Sequence, residues 1–173
     1  MKKYIAVILI TFLFSGCGYI KSDHVWIAGT NFEKLQKAKP KDCGVIILGA
    51  VGSVITHEFA HIILLEAFNA DYKIEIKPSG FYIEYEDLHS DSKTRWVSRA
   101  GLLSQNLVGL FLPKDSYFTM GYNSASAIET FTYPLRRSDK GDLYEIDEHG
   151  GDSKIEWGIY SLISAHNLLR IEW

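Results

Sequence analysis

The feature that most constrains this chain is a pair of histidines four residues apart inside a long apolar stretch. Val45 to Leu65 contains no ionisable side chain except His57, Glu58 and His61. Side chains four positions apart lie on one face of an α-helix, one turn apart, so both imidazoles can reach one ion. Ionisable groups within an apolar helix need partners. The H-E-x-x-H pattern therefore predicts a metal site on a helix.

Zinc is the ion that this pattern indicates. Neutral imidazoles and a carboxylate suit Zn²⁺, and a catalytic zinc keeps three protein ligands and one open position for water. Glu58 follows the first histidine, where it can act as general base on that water. The pattern predicts a zinc metalloprotease that hydrolyses peptide bonds in protein or peptide substrates.

The helix around this motif is predicted to run from Gly44 to Phe68. It is apolar on all sides, which is typical of a fully buried helix or a membrane span. At about 1.5 Å per residue it would extend roughly 37 Å, enough to cross a bilayer with some tilt. Gly49 and Ser53 form a small-xxx-small pair, which would let another helix approach closely.

The rest of the chain predicts an α+β fold that is mainly α. Apolar residues alternate with charged or polar ones on either side of a Pro-Ser-Gly turn, which predicts one β-hairpin. Apolar runs bounded by N-cap residues and prolines predict about three further helices, packed around the central one. The hairpin is expected over Ala70–Asp87, and the helices over Lys93–Leu112, Ser116–Thr132 and Lys154–Ile171.

The N-terminus carries the features of a bacterial lipoprotein signal peptide. Two lysines precede an apolar run, and Phe14-Ser15-Gly16-Cys17 resembles a lipobox, with Cys17 as the lipidated residue. An uncleaved N-terminal transmembrane anchor is the alternative. Both place the protein on a membrane of the bacterial cell envelope, with the lipid bilayer as a partner. The expected organisation is a signal peptide over 1–17, a linker over 18–43 and a metallopeptidase-like domain over 44–173.

The order of these parts resembles the site-2 protease family of intramembrane metalloproteases. The resemblance rests on His57-Glu58-Phe59-Ala60-His61 in a glycine-containing apolar helix, the hairpin after it, Arg99-Ala100-Gly101-Leu102 in a small-residue helix, and a late aspartate beside glycine. The family's Ala-Gly-Pro has leucine in place of proline here, and its Leu-Asp-Gly ligand motif is represented only by Gly141-Asp142-Leu143. The resemblance implies an intramembrane-type zinc peptidase.

The third zinc ligand is open at the sequence level. Asp142 is the first choice, because it lies in a glycine-punctuated turn far downstream of the helix, as the family ligand does. Asp152 follows two glycines at a predicted helix start, where an N-cap role is equally expected. Glu129 would suit a zincin whose ligand comes from a later helix, and Asp147 and His149 are further alternatives.

Composition narrows the partners and leaves one rival function. The net charge is −3 and no basic stripe is present, so the sequence predicts no nucleic-acid partner. The rival is a non-catalytic membrane lipoprotein with a structural or binding role, in which the histidine motif arose by chance.

Overall fold

The fold is that of a computed structural model, which describes residues 26–27, 30–31, 33–77, 80–135 and 141–173. The predicted signal peptide over 1–17, with its lipidation site at Cys17, lies outside the described residues, as does much of the predicted linker over 18–43.

Five helices of seven residues or more and a hairpin of two six-residue strands make up most of the described chain. The prediction of a mainly helical α+β fold, with the motif helix packed by further helices, is confirmed. A two-residue strand pair and a one-turn helix precede the central helix. In chain order the elements are β1 (Trp26–Ile27), β2 (Thr30–Asn31), α1 (Glu33–Gln36), α2 (Pro40–Ala67), β3 (Tyr72–Lys77), β4 (Gly80–Tyr85), α3 (Asp91–Phe111), α4 (Tyr117–Thr132), a 3₁₀ turn (Tyr133–Leu135), α5 (Asp142–Glu148) and α6 (Ser153–Leu169).

The central helix α2 begins four residues earlier than predicted. Pro40 occupies its first turn, where a missing N–H costs nothing and the fixed φ suits the helix. The Asp42 side chain accepts a hydrogen bond from the backbone N–H of Lys39 at 2.9 Å, which closes the N-terminus. The Lys-Pro-Lys-Asp segment therefore forms the start of this helix.

The predicted hairpin is present with the alternation that the sequence indicates. Strands β3 and β4 are antiparallel, and Glu86 extends the pairing by donating its N–H to Asp71 at 3.1 Å. Residues two apart along a strand share a face, so the alternating aromatic and isoleucine positions come opposite one another. The pairs are Tyr72 with Tyr85, Ile74 with Ile83 and Ile76 with Phe81.

Helix α2 packs against α3 and α4, and α6 completes the bundle against the same two helices. The close approach of α2 and α4 depends on glycine. A Cβ atom at Gly49 would collide with the backbone of Phe118, and one at Gly121 would collide with the backbone of Ile46. The small residues of α2 thus allow close helix contact, as the small-xxx-small pattern predicts.

The interior of the bundle contains both apolar and polar side chains, and many large apolar side chains lie on its outside. Among the described residues twelve apolar side chains are buried, and Leu65, Leu102 and Ile146 are fully so. Side chains with polar groups fill much of the remaining interior, each at most 1% exposed: Ser53, Gln105, Asn106, Thr119, Asn123, Ser126, Thr130, Ser164 and Asn167. Large apolar side chains face outwards, each more than half exposed: Leu48, Ile55, Phe59, Ile63, Phe111, Leu135, Ile155, Leu162 and Leu169.

Candidate metal centre

The two histidines of the motif lie on the buried face of α2, 4% and 7% exposed. Their ring centroids are 5.0 Å apart, as expected one helical turn apart. The Nδ1–H of His61 donates to the backbone carbonyl of Val97 on α3, at 2.7 Å. Because a carbonyl only accepts, the neutral His61 ring keeps its lone pair on Nε2. This backbone hydrogen bond is the support that a metal-ligating histidine ordinarily has.

Asp142, at the start of α5, brings a carboxylate to the same point. Its Oδ2 atom lies 3.3 Å from Nε2 of His57 and 3.6 Å from Nε2 of His61. Among the described residues, these three side chains form the one group of potential ligands close enough to hold an ion, with ligand atoms within 4.8 Å of one another. A tetrahedral zinc with bonds of about 2.0–2.1 Å needs ligand atoms roughly 3.3–3.4 Å apart. The 3.3 Å distance from His57 matches that spacing, and the 3.6 Å distance from His61 exceeds it slightly.

Two further observations indicate that the site has room for an ion. The Asp142 Oδ2 atom is buried and has no hydrogen-bond partner in the described part of the chain, an expensive state unless another group satisfies it. Gly101 on α3 faces the histidines without a side chain. A Cβ atom there would lie 2.5 Å from the Nε2 atoms of both His57 and His61. The donor set and the space left by Gly101 therefore fit a metal ion.

If the site binds zinc, as the sequence predicts, the replacement Gly101→Ala is expected to prevent that binding. The new methyl group would occupy the space beside the two Nε2 atoms, and zinc content measured after purification should fall from one ion per chain to near zero. The matched control is Gly158→Ala on α6, where an added Cβ meets no atom within 4 Å. That variant should keep its zinc and gain up to about 1 kcal/mol from the better helix former. Full zinc in Gly101→Ala would contradict this site geometry.

Contacts at both ends of the short helix α5, which begins with Asp142, hold it against the bundle. The backbone N–H of Asp142 donates to the hydroxyl of Tyr133 at 3.0 Å, and Ile146 is fully buried. At the other end, the Arg95 guanidinium donates to the carbonyl of Gly150 at 3.0 Å, which ties the segment to α3. The sequence predicts an irregular glycine-punctuated turn here. A seven-residue helix forms instead, because these contacts with the bundle compensate for its weak intrinsic tendency.

The surroundings keep Asp142 ionised and its phenolic neighbours neutral. Burial alone would raise the pKa of the Asp142 carboxyl, but interaction with His61 and His57 holds it well below its usual range. Burial raises the pKa of Tyr133, and the nearby charge of Asp142 adds to that rise. Burial likewise raises the pKa of Tyr85 to about 12, with Glu145 contributing. An ionised carboxylate beside neutral hydroxyl groups is the result.

Glu58 is the remaining residue of the predicted site. It follows His57 on α2 and is only half-buried, in contrast to its two buried histidine neighbours. A carboxylate that is partly exposed beside a metal position can exchange protons with water and substrate. Glu58 is not among the group of potential ligands, and its role as general base stays a prediction.

The alternative ligands Asp152 and Asp147 have other partners. The Asp152 side chain caps α6 by accepting from the backbone N–H groups of Lys154 and Ile155, each at 3.1 Å. The Asp147 carboxylate accepts from the backbone and the hydroxyl of Ser153 at 2.9 and 2.6 Å. Both carboxylates organise the turn between α5 and α6, and neither belongs to the histidine group.

The alternative ligands His149 and Glu129 also lie outside the cluster. His149 is 2.8 Å from Asp91 through Nδ1 and 3.4 Å from Glu145 through Nε2. The nearest recorded approach of Glu129 to the histidines is 3.9 Å, from Oε2 to Nδ1 of His57, the ring nitrogen that does not face Asp142. The structure brings together the first-choice triad of His57, His61 and Asp142.

Three supporting groups have little or no signal in the sequence. A backbone carbonyl such as that of Val97 carries no residue-type information, and Tyr133 is one aromatic among many. Gly101 belongs to the motif that resembles the site-2 protease family, but its position against both imidazoles depends on how α3 crosses α2. No protein-family model, curated protein or solved structure matches the chain.

Proposed function

We propose that this chain is a membrane-associated zinc metalloprotease. The observation that carries the proposal is the convergence of two imidazole nitrogens and one carboxylate oxygen within 4.8 Å of one another, with Glu58 next to His57 in the chain. His57, His61 and Asp142 would hold Zn²⁺ and leave a fourth position open. The resemblance to site-2 proteases supports the same function. The substrate would be a protein or peptide.

The chemistry divides between the ion and Glu58. A bound zinc would polarise the scissile carbonyl and lower the pKa of water toward about 7. Glu58 takes a proton from the attacking water as the water oxygen bonds to the carbonyl carbon. It then delivers that proton to the amide nitrogen as the carbon–nitrogen bond breaks, so a carboxylic acid and an amine leave. His61 is kept in orientation by the Val97 carbonyl, and Asp142 by Tyr133.

The exterior of the bundle supports membrane association. By length and composition, α2 is the one helix among the described residues that qualifies as a membrane span, and only 28% of its apolar window is buried. The core helix of a soluble protein would be mostly buried. Apolar side chains outside and hydrogen-bonded amides and hydroxyls inside are the pattern expected of helices packed in lipid. We therefore propose that the catalytic domain lies in or against the bilayer, in agreement with the membrane anchor predicted for the N-terminus.

Membrane retention and metal-dependent cleavage can be tested on one preparation. Residues 1–17 are replaced by a cleavable signal peptide without a lipidation site, and membranes are washed with alkaline carbonate. The protein is expected to stay in the membrane fraction, because α2 and the apolar bundle surface replace the missing anchor. That fraction should cleave an unfolded reporter peptide, lose the activity on chelation and regain it with added zinc.

The outcomes for membrane retention and for metal-dependent cleavage are independent of each other. Release of the protein by carbonate would contradict an embedded catalytic domain without touching the zinc chemistry. Retained protein with no chelator-sensitive cleavage would support the rival function, a non-catalytic membrane lipoprotein. A parallel sample carrying His57→Ala and His61→Ala controls for contaminating peptidases.

A further inference from the structure

The two histidines differ in how their second ring nitrogens are supported. The Nδ1–H of His61 has the carbonyl of Val97 as its acceptor. The Nδ1 atom of His57 is buried and makes no hydrogen bond to any described residue. A ligating histidine almost always donates its other N–H to a carboxylate, a carbonyl or water. One of the two ligands is therefore without the support that fixes its ring.

Glu129 is the carboxylate that faces this nitrogen. It projects from α4, and its Oε2 atom is 3.9 Å from Nδ1 of His57. The side chain is 16% exposed, similar to that of Asp142. The two nitrogens of an imidazole point in divergent directions, so a carboxylate on the Nδ1 side does not reach an ion held by Nε2. The position of Glu129 suits support of the ring and excludes a place among the ligands.

We propose that Glu129 is a positioning residue that accepts the Nδ1–H of His57 when the site holds zinc. This inference rests on the proposed function. Contact requires the two atoms to approach by about 1 Å, to the usual N–H···O distance of about 2.9 Å, or a single water to bridge them. Glu129 also lines a groove of about 200 Å³ between α2 and α4.

The two ring nitrogens of His57 would therefore have different roles, one in metal binding and one in holding the ring. Asp142 and the ion lie on the Nε2 side, and Glu129 lies on the Nδ1 side. A carboxylate acceptor makes the imidazole a stronger donor to the metal and holds its plane. Through His57, the α4 helix would thus contribute to metal affinity although none of its side chains is a ligand.

The test compares Glu129→Ala and Glu129→Gln in the full-length protein in detergent, with zinc affinity measured by chelator competition. Glu129→Ala should weaken zinc binding by about 10- to 100-fold. Glu129→Gln keeps an oxygen acceptor of the same length, so its affinity should lie between those of Glu129→Ala and the unaltered protein. Ser124→Ala, which alters another residue of the same groove, should bind zinc as the unaltered protein does.

A spectroscopic readout separates positioning from a general effect on folding. In the zinc-loaded protein, the Nδ1 proton of His57 should give a downfield, exchange-protected NMR signal that shifts in Glu129→Gln. This measurement decides the matter even if Glu129→Ala does not fold. An unshifted signal, or equal zinc affinity in Glu129→Ala, overturns the role of Glu129 while the site itself stands. An unaltered protein that binds no zinc contradicts the proposed function, and the role of Glu129 with it.

Discussion

Glu58→Gln is expected to abolish proteolysis while zinc stays bound. Glutamine has nearly the same shape as glutamate but cannot take a proton from water at neutral pH. General acid–base groups contribute about 10²- to 10⁴-fold to rate, so turnover of a fluorogenic unfolded peptide should fall by at least 100-fold. His57, His61 and Asp142 are untouched, so zinc measured in the same sample should remain at one ion per chain.

Glu66→Gln is the matched control for this variant. It makes the same chemical change on the same helix, but Glu66 is exposed and its carboxylate accepts a hydrogen bond from the hydroxyl of Tyr72 at 2.7 Å. Its activity should therefore stay close to that of the unaltered protein. Undiminished cleavage by Glu58→Gln would rule out Glu58 as general base, and loss of zinc from that variant would mean that Glu58 holds the metal.

The periodicity of the sequence was sufficient to predict most of the fold. Alternation over β3 and β4 predicted a hairpin because side chains on a strand repeat every two residues, and the register follows that alternation. Ser90, Ser116 and Asp152 cap α3, α4 and α6 with their side chains, as expected for such residues before an apolar run. These are local effects, which a single sequence contains.

Other parts of the fold depend on tertiary contacts and were missed or displaced. The central helix begins at Pro40 instead of the predicted Gly44, because proline suits a first turn and the Asp42 side chain caps it. Helix α5 exists because Ile146 and Tyr133 dock it on the bundle, which its seven residues do not indicate. Glycine and aspartate in that segment favoured a turn when read locally.

The residues of the candidate site also divide into those that the local sequence indicates and those whose placement depends on tertiary contacts. His57 and His61 follow from their spacing, since four residues make one helical turn. Asp142 required the resemblance to a family, because a ligand more than 80 positions downstream has no local signal. The side of His57 on which Glu129 lies depends on the rotation of α4, which depends in turn on the glycine contacts between α2 and α4. The polar interior reverses the usual reading, in which amides face water.

Asp142→Ala is expected to cause the largest loss of metal. The replacement removes one of three ligands and leaves two neutral imidazoles, whose affinity for zinc should be lower by well over 100-fold, since even losing an outer support costs about 10- to 100-fold. The fold should survive, because the N–H of residue 142 still donates to Tyr133 and Ile146 remains buried. Proteolysis should disappear together with the zinc.

Asp152→Ala provides the control carboxylate from the same part of the chain. It removes the cap of α6 and should lower the free energy of unfolding by about 0.5–2 kcal/mol. Zinc content should not change, because Asp152 lies outside the histidine group. Asp142→Ala is thus expected to lose metal, whereas Asp152→Ala is expected to lose stability and keep its metal.

The zinc-to-protein ratio of the purified chain is the most direct measurement of the central claim. The protein is isolated in detergent without chelator, dialysed against trace zinc and analysed by elemental mass spectrometry beside Asp142→Ala and Asp152→Ala. We expect one zinc per chain in the unaltered protein and in Asp152→Ala, and none in Asp142→Ala. An unaltered protein that binds no zinc, or an Asp142→Ala variant that retains a full equivalent, would contradict a zinc centre formed by His57, His61 and Asp142.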